Sequence, residues 1–328
     1  SGRLRAICDR RSLAKDPWET AVLGFISHYE CHDHVTGDLH PDAPVRLEAI
    51  TNQLIASGMD YVLRHYDAPQ VARSDLERVH DTAYLDRVYA MAPGKGEPPV
   101  EIDGDTVMSP GTLRAAERAA GAGVLAVDLV MRGEMREVFC AVRPPGHHAV
   151  RGQAMGFCLF NNIAVAAAHA MAVYGLDRVA IVDFDVHHGN GTEDIFRNEP
   201  RVLFCSSFQH PFYPFTGHEK ETTNLVDVPL PAGTDGPAFR AAIAEHWLPH
   251  LESFRPQILL ISAGFDAHVA DDMSSLQLTD ADYGWLTTEL KAIAERHSEG
   301  RIVSMLEGGY EPHALARSVI RHLDALLG

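Results

Sequence analysis

The feature that most constrains this chain is a set of short, unbroken apolar runs, each followed by a helix-like segment. The runs are VLGFIS (22–27), VFCAV (138–142), RVAIVDF (178–184), RVLFCS (201–206), QILLISA (257–263) and RIVSML (301–306). A strand with one wet face alternates apolar and polar residues. An unbroken run suits a strand covered on both faces. Parallel strands need long crossovers, and helix-like segments at 44–57, 110–132, 160–173, 237–254, 280–297 and 311–327 supply them. Pro44 and Gly58 bracket the first of these, and Ser109 and Gly133 the second, as N-cap and stop. The pattern predicts an α/β fold: one three-layer α/β/α sandwich with a mostly parallel central sheet. It is read as a single domain over 1–328, with 1–20 as an N-terminal extension and 21–328 as the core. Residues 1–20 and the loop 93–106 are expected to be the flexible parts.

Charge and cysteine content narrow the class. Among 328 residues, 28 Lys+Arg stand against 45 Asp+Glu, a net charge of −17. That argues against phosphate-backbone binding and leaves room for cationic partners. No run approaches the ~20 apolar residues of a membrane span, and the Arg-rich start lacks the apolar core of a secretory signal. Cys8, Cys31, Cys140, Cys158 and Cys205 are odd in number and widely spaced, which fits a reducing, cytoplasmic setting.

Ligands of such sheets bind beyond the carboxyl ends of the strands. Four of those ends carry chemistry: Arg143-Pro-Pro-Gly-His147-His148, then Asp183-Phe-Asp185-Val-His187-His188-Gly-Asn190-Gly, then Gly264-Phe265-Asp266-Ala-His268, then Glu307-Gly-Gly-Tyr310. Asp185 and His187 are two apart, so at a strand end they share one side. With Asp266 they form a three-donor O/N set with an open position, suited to catalytic Zn²⁺ or Fe²⁺. Taken alone, Asp-Val-His is more often a helix cap beside packed histidines; four such strand ends reverse that weighting. His147 and His148 follow a stiff Pro-Pro-Gly approach and suit proton transfer.

These residues resemble a known family. RPPGHH (143–148), MGFCLFNN (155–162), DFDVHHGNGT (183–192), GFDAH (264–268) and LEGGY (306–310), in that order, are similar to the zinc-dependent histone deacetylase family. Its acetylpolyamine amidohydrolases and bacterial deacetylase-like enzymes are included. The stretch from His40 to Ile50 resembles the opening of the class II branch. The resemblance implies the arginase–deacetylase fold and amide hydrolysis by metal-activated water. It makes Asp185, His187 and Asp266 the zinc ligands, His147 and His148 the tandem catalytic histidines, and Asp183 the carboxylate that orients His147. Tyr310 becomes the carbonyl-polarising phenol, and Phe157, beside Gly156, one tunnel wall, with Tyr213 opposite. Asn190 would partner His148 where the class I branch has Asp, raising that imidazole's pKa less. Structural K⁺ is also implied: one site at Asp183, Ser206 and Ser207, a second around Phe196, Val202 and Asn224. Two-metal ureohydrolases of the same fold need Asp where this chain has Gly189.

Substrate choice rests on Met273, the apolar residue where polyamine-selective relatives place an acid. It favours acetylated lysine in a peptide or protein. Asp271 and Asp272 beside it, and the overall charge, favour acetylpolyamines. A catalytically weak acyl-lysine binder is the third reading, disfavoured because the chemical residues are all present. Oligomers are compatible with the sequence. The cluster His28, Cys31, His32, Asp33, His34 and His40 is read as tunnel-mouth loop rather than a second metal site, and Gly121-Ala-Gly123 as helix packing rather than a dinucleotide loop.

Overall fold

The computed structural model describes residues 22–37, 39–217 and 222–328; the expected extension 1–20 lies outside them. In chain order the elements are β1 (Leu23–Ser27), α1 (Val45–Ser57), β2 (Leu63–Asp67), α2 (Arg73–Leu76), α3 (Thr82–Met91), β3 (Val100–Glu101), β4 (Val107–Met108), α4 (Thr112–Met131), β5 (Glu137–Cys140), α5 (Asn162–Tyr174), β6 (Val179–Asp183), α6 (Asn190–Phe196), β7 (Val202–Gln209), β8 (Leu225–Leu230), α7 (Gly236–Phe254), β9 (Ile258–Ala263), α8 (Asp280–His297), β10 (Ile302–Leu306) and α9 (Pro312–Leu327).

Eight strands form one sheet in the order β2-β1-β5-β10-β9-β6-β7-β8. Every pair in it is parallel. Helices α4 and α5 pack together on one side; α1, α9, α8 and α7 pack in succession on the other. This is the α/β/α sandwich. Strands β6, β7, β9 and β10 are buried along their whole length, as unbroken apolar runs require.

The register positions the chemistry. Asp183 at the end of β6 pairs with Ser206 on β7 and Ser262 on β9. Leu306 at the end of β10 pairs with Ala263, and Met305 with Cys140. The segments that follow β5, β6, β9 and β10 therefore leave the sheet side by side.

Some expectations are corrected. The sheet strands β2 and β8 are edge strands that escape the pattern: LRHYD is polar, and in LVDVPL an Asp and a Pro interrupt the apolar run. Ser109 does not cap α4, whose N-cap is Gly111. Its hydroxyl instead bonds Thr112 Oγ1 at 3.0 Å and the Val35 amide at 3.1 Å. Within the loop 93–106, Val100 and Glu101 pair with Met108 and Val107 in a short antiparallel ladder. Among the described residues no helix is long and apolar enough to cross a membrane, and Cys31, Cys140, Cys158 and Cys205 are buried free thiols.

Candidate active site

Asp185 and His187 do meet, but not through strand alternation. Strand β6 stops at Asp183, because Asp183 Oδ1 accepts the Asp185 amide at 3.1 Å and Asp185 Oδ1 accepts the His187 amide at 2.9 Å. Two successive Asp side-chain turns curl the chain. His187 Nδ1 ends 3.0 Å from Asp185 Oδ1 and 3.2 Å from Asp266 Oδ2. The donor atoms of the three residues lie within 4.8 Å of one another, all buried.

Each carboxylate is aimed by the backbone. Asp185 Oδ2 accepts the Gly308 amide at 2.8 Å, and Asp266 Oδ1 the Val186 amide at 2.8 Å. Asp266 Oδ2 is then a buried oxygen with no hydrogen-bond partner, which costs free energy unless something else binds it. Burial, with Asp185 beside it, pushes Asp266 up to about 7. A divalent cation relieves both penalties, and a donor set of one imidazole and two carboxylates suits zinc or iron with an open position. The motif glycines are steric requirements. A Cβ on Gly264 would stand 2.1 Å from Asp185 Oδ2, and one on Gly308 2.1 Å from Asp266 Oδ2.

The tandem histidines are tilted neighbours with opposite electrostatics. Their ring centroids are 4.0 Å apart. His147 Nδ1 donates to Asp183 Oδ2 at 2.8 Å, and His148 Nδ1 to Asn190 Oδ1 at 2.7 Å. Burial disfavours charge on both. For His147 the carboxylates of Asp183 and Asp185 outweigh it and hold the ring well above its usual value. For His148 burial and the neighbouring imidazoles His147 and His187 push it well below. The two rings are therefore pushed in opposite directions. Glu307 supports the loop beneath them: Oε2 accepts the Gly146 amide at 2.7 Å and the His147 amide at 3.2 Å, while Oε1 accepts Ser262 Oγ–H at 3.1 Å. Burial pushes this carboxyl up to about 7.

A cavity of about 170 Å³ opens onto these groups, lined by Asp105, His148, Gly156, Phe157, His187, Phe212, Tyr213, Met273 and Tyr310. Phe157 lies edge-on to Tyr310, and Tyr213 edge-on to His148. Gly156 sits at φ +56, where its missing Cβ would come within 2.4 Å of the His148 ring. Burial raises the Tyr310 phenol well above its ordinary value despite Arg46, whose guanidinium lies 4.8 Å over the ring. The phenol thus stays a donor.

The structure brings Asp183, Asp185, His187, Asp266, His147, His148 and Tyr310 to one edge of the sheet, adds three residues that motif reading passed over, and gives Asp271 a different role. Phe212 stacks on His187 at 5.4 Å. Asp105 joins the lining. Arg46 binds the carbonyls of Gly309 at 2.6 Å and Glu307 at 2.5 Å, tying α1 to the LEGGY turn. Asp271, weighed as a rim acid for a polyamine, is 5% exposed. Its Oδ2 accepts the amides of Tyr310 at 2.5 Å and Glu311 at 3.1 Å, and Oδ1 that of Met273 at 3.1 Å. It positions the phenol and the lip.

The other predicted groups are placed as follows. Ser206 Oγ lies 3.5 Å from the Gly189 amide, and the buried Ser207 hydroxyl has no partner. The carbonyls of Phe196 and Val202 are gathered at 2.9 and 3.1 Å by the Asn224 amide nitrogen, where the second cation was expected. In the histidine-rich loop, His34 Nδ1 bonds Thr112 Oγ1 at 2.8 Å and His40 packs on Phe157 at 4.5 Å.

A parallel α/β sandwich with this constellation at its carboxyl edge defines an amidohydrolase with a candidate metal site. The histone deacetylase domain model matches residues 40–326, so the chain belongs to that family and is a deacetylase. It is 37% identical to the histone deacetylase-like amidohydrolase of Pseudomonas aeruginosa, over 83% of this chain and 72% of that one. It is 35% identical to the human polyamine deacetylase HDAC10, over 88% of this chain and 44% of that one. Among solved structures the HDA15 HD domain superposes with a TM-score of 0.87 at 32% identity, covering 94% of this chain and 90% of that one.

Proposed function

We propose that this deacetylase hydrolyses the amide of Nε-acyl-lysine, using zinc held by Asp185, His187 and Asp266. The observation that carries the reading is the narrow cavity. Aromatic walls and Met273 suit an aliphatic stem, and His148, His187 and Tyr310 line the same cavity. Zinc, when bound, supplies Lewis acidity and a more acidic water.

The chain's own groups do the rest. Neutral His148 spends its Nδ1–H on Asn190, which leaves the Nε2 lone pair to take a proton from the attacking water. His147, oriented by Asp183 through Nδ1, carries the proton at Nε2 to the leaving amine. The Tyr310 hydroxyl donates to the carbonyl oxygen as charge develops there. Asp183 and Glu307 fix the ring and backbone of His147. A structural K⁺ at Asp183, Ser206 and Ser207 fits the unpartnered Ser207 hydroxyl.

One observation favours acetylpolyamines instead: Asp105, a carboxylate on the cavity wall beside Asp103, would suit a second ammonium. The discriminating experiment measures kcat/KM on an acetyl-lysine peptide, N-acetylputrescine and N8-acetylspermidine, with a chelator control. Chelator-sensitive preference for the peptide is expected. Preference for the polyamines would overturn the substrate assignment, and chelator-insensitive turnover would overturn the metal.

A further inference from the structure

The sequence places two histidines in succession at the end of β6, and the second of them is absent from the chemistry above. His188 turns away from the cavity. It is 1% exposed, with its ring 4.6 Å from that of Phe208 and its Nδ1 2.7 Å from Thr216 Oγ1. Its other nitrogen points at two acids. Nε2 is 2.9 Å from Glu193 Oε2, on α6, and 3.5 Å from Asp227 Oδ1, on the edge strand β8.

We propose that His188, Glu193 and Asp227 form a second metal site, structural in character, for a divalent transition ion such as zinc. Several observations converge on it. The three donor atoms lie within 4.8 Å of one another. Donors 2.0–2.1 Å from a tetrahedral ion stand roughly 3.4 Å apart, and the two measured separations bracket that value. All three atoms are buried with no hydrogen-bond partner. The contacts are at ion-pair distances, but without well-directed hydrogen bonds. Burying such a charged cluster without well-directed hydrogen bonds is costly. A cation that takes a lone pair from each removes the cost, and two carboxylates with a neutral imidazole balance a dication.

The surroundings prepare the set. Thr216 fixes the His188 ring through the nitrogen that would not bind metal, and Arg197 engages the other Glu193 oxygen. None of the three residues lines the 170 Å³ cavity, so an ion here has no route to substrate. It would join α6 to β8, a strand that, among the described residues, ladders with β7 alone.

The test counts zinc per chain after saturation and desalting, in the full chain. Two equivalents are expected in the wild type, one in Asp227→Ala, one in the shape-preserving Glu193→Gln, and one in Asp266→Asn, where the ion at His188 remains. Asp227→Ala should keep deacetylase kcat/KM within about twofold. In the Asp266→Asn background Zn²⁺ should raise the Tm, and adding Asp227→Ala should abolish the rise. A wild type holding one equivalent that Asp266→Asn removes, and that Asp227→Ala leaves in place, would overturn the second site. A single equivalent lost in Asp227→Ala but kept in Asp266→Asn would support it and count against the catalytic reading.

Discussion

His187 and His188 are adjacent in sequence, and each meets two carboxylates, yet they serve different ends. His187 faces a cavity, with Asp185 and Asp266 aimed at it by backbone amides. His188 faces the body of the protein, with one acid from a helix and one from an edge strand. The turn that starts at Asp183 sends successive side chains to opposite sides. Composition around a histidine therefore does not define its chemistry. What defines it is access: a path for substrate on one side and none on the other.

Breaking the cavity side should have the largest effect. Asp266→Ala removes one of three donors and leaves Asp185 and His187 facing each other without the third. Deacetylation should fall to the chelator-treated background, with one equivalent less metal. Tyr310→Phe keeps the metal and removes one donor to the developing oxyanion. Its kcat should fall by roughly 10²–10³ with metal content unchanged; near-wild-type turnover would refute the role of the phenol.

Asp271→Asn tests positioning rather than chemistry. The amide can accept at one oxygen, where the carboxylate accepts three amides at two. Displacement of the phenol should cost about tenfold to a hundredfold in kcat. An unchanged kcat would mean that the Tyr310 turn holds without it.

The smallest effect is on stability, against which the His188 side must be read. His80 is buried, bonds the Val150 carbonyl through Nδ1, and through Nε2 accepts the Asn161 amide at 2.9 Å. Burial lowers its pKa from 6.5 to about 4. The unfolded chain thus binds more protons between those values, so the contribution is full above pH 6.5 and is lost as pH falls toward 4. About 2 kcal/mol should go between pH 6.5 and 5. His80→Gln should flatten that part of the urea-midpoint profile. An unchanged slope would show that this ring does not carry the dependence.

The central strands were legible because burial on both faces forces unbroken apolar runs. The edge strands β2 and β8 were not, since an edge tolerates LRHYD and LVDVPL. The chemical motifs were legible because few residue types can hold a metal or move a proton, and the parallel topology brings strand ends together. Asp271 misled because its sequence position, beside Met273, says nothing about which way a carboxylate turns. Arg46 and Glu307 were silent for a related reason: they act on backbone carbonyls and amides more than 160 residues away in the chain.

By itself, then, the sequence determined the layered parallel fold, the candidate metal-ligand triad and the tandem histidines, because local pattern and residue chemistry suffice for these. Tertiary structure alone decided three things: which of two neighbouring histidines meets the cavity, which acids are spent on backbone amides, and which orphaned atoms converge. The physical reason is that hydrogen-bond satisfaction in the interior is settled between distant segments, and no run of neighbouring residues contains that information.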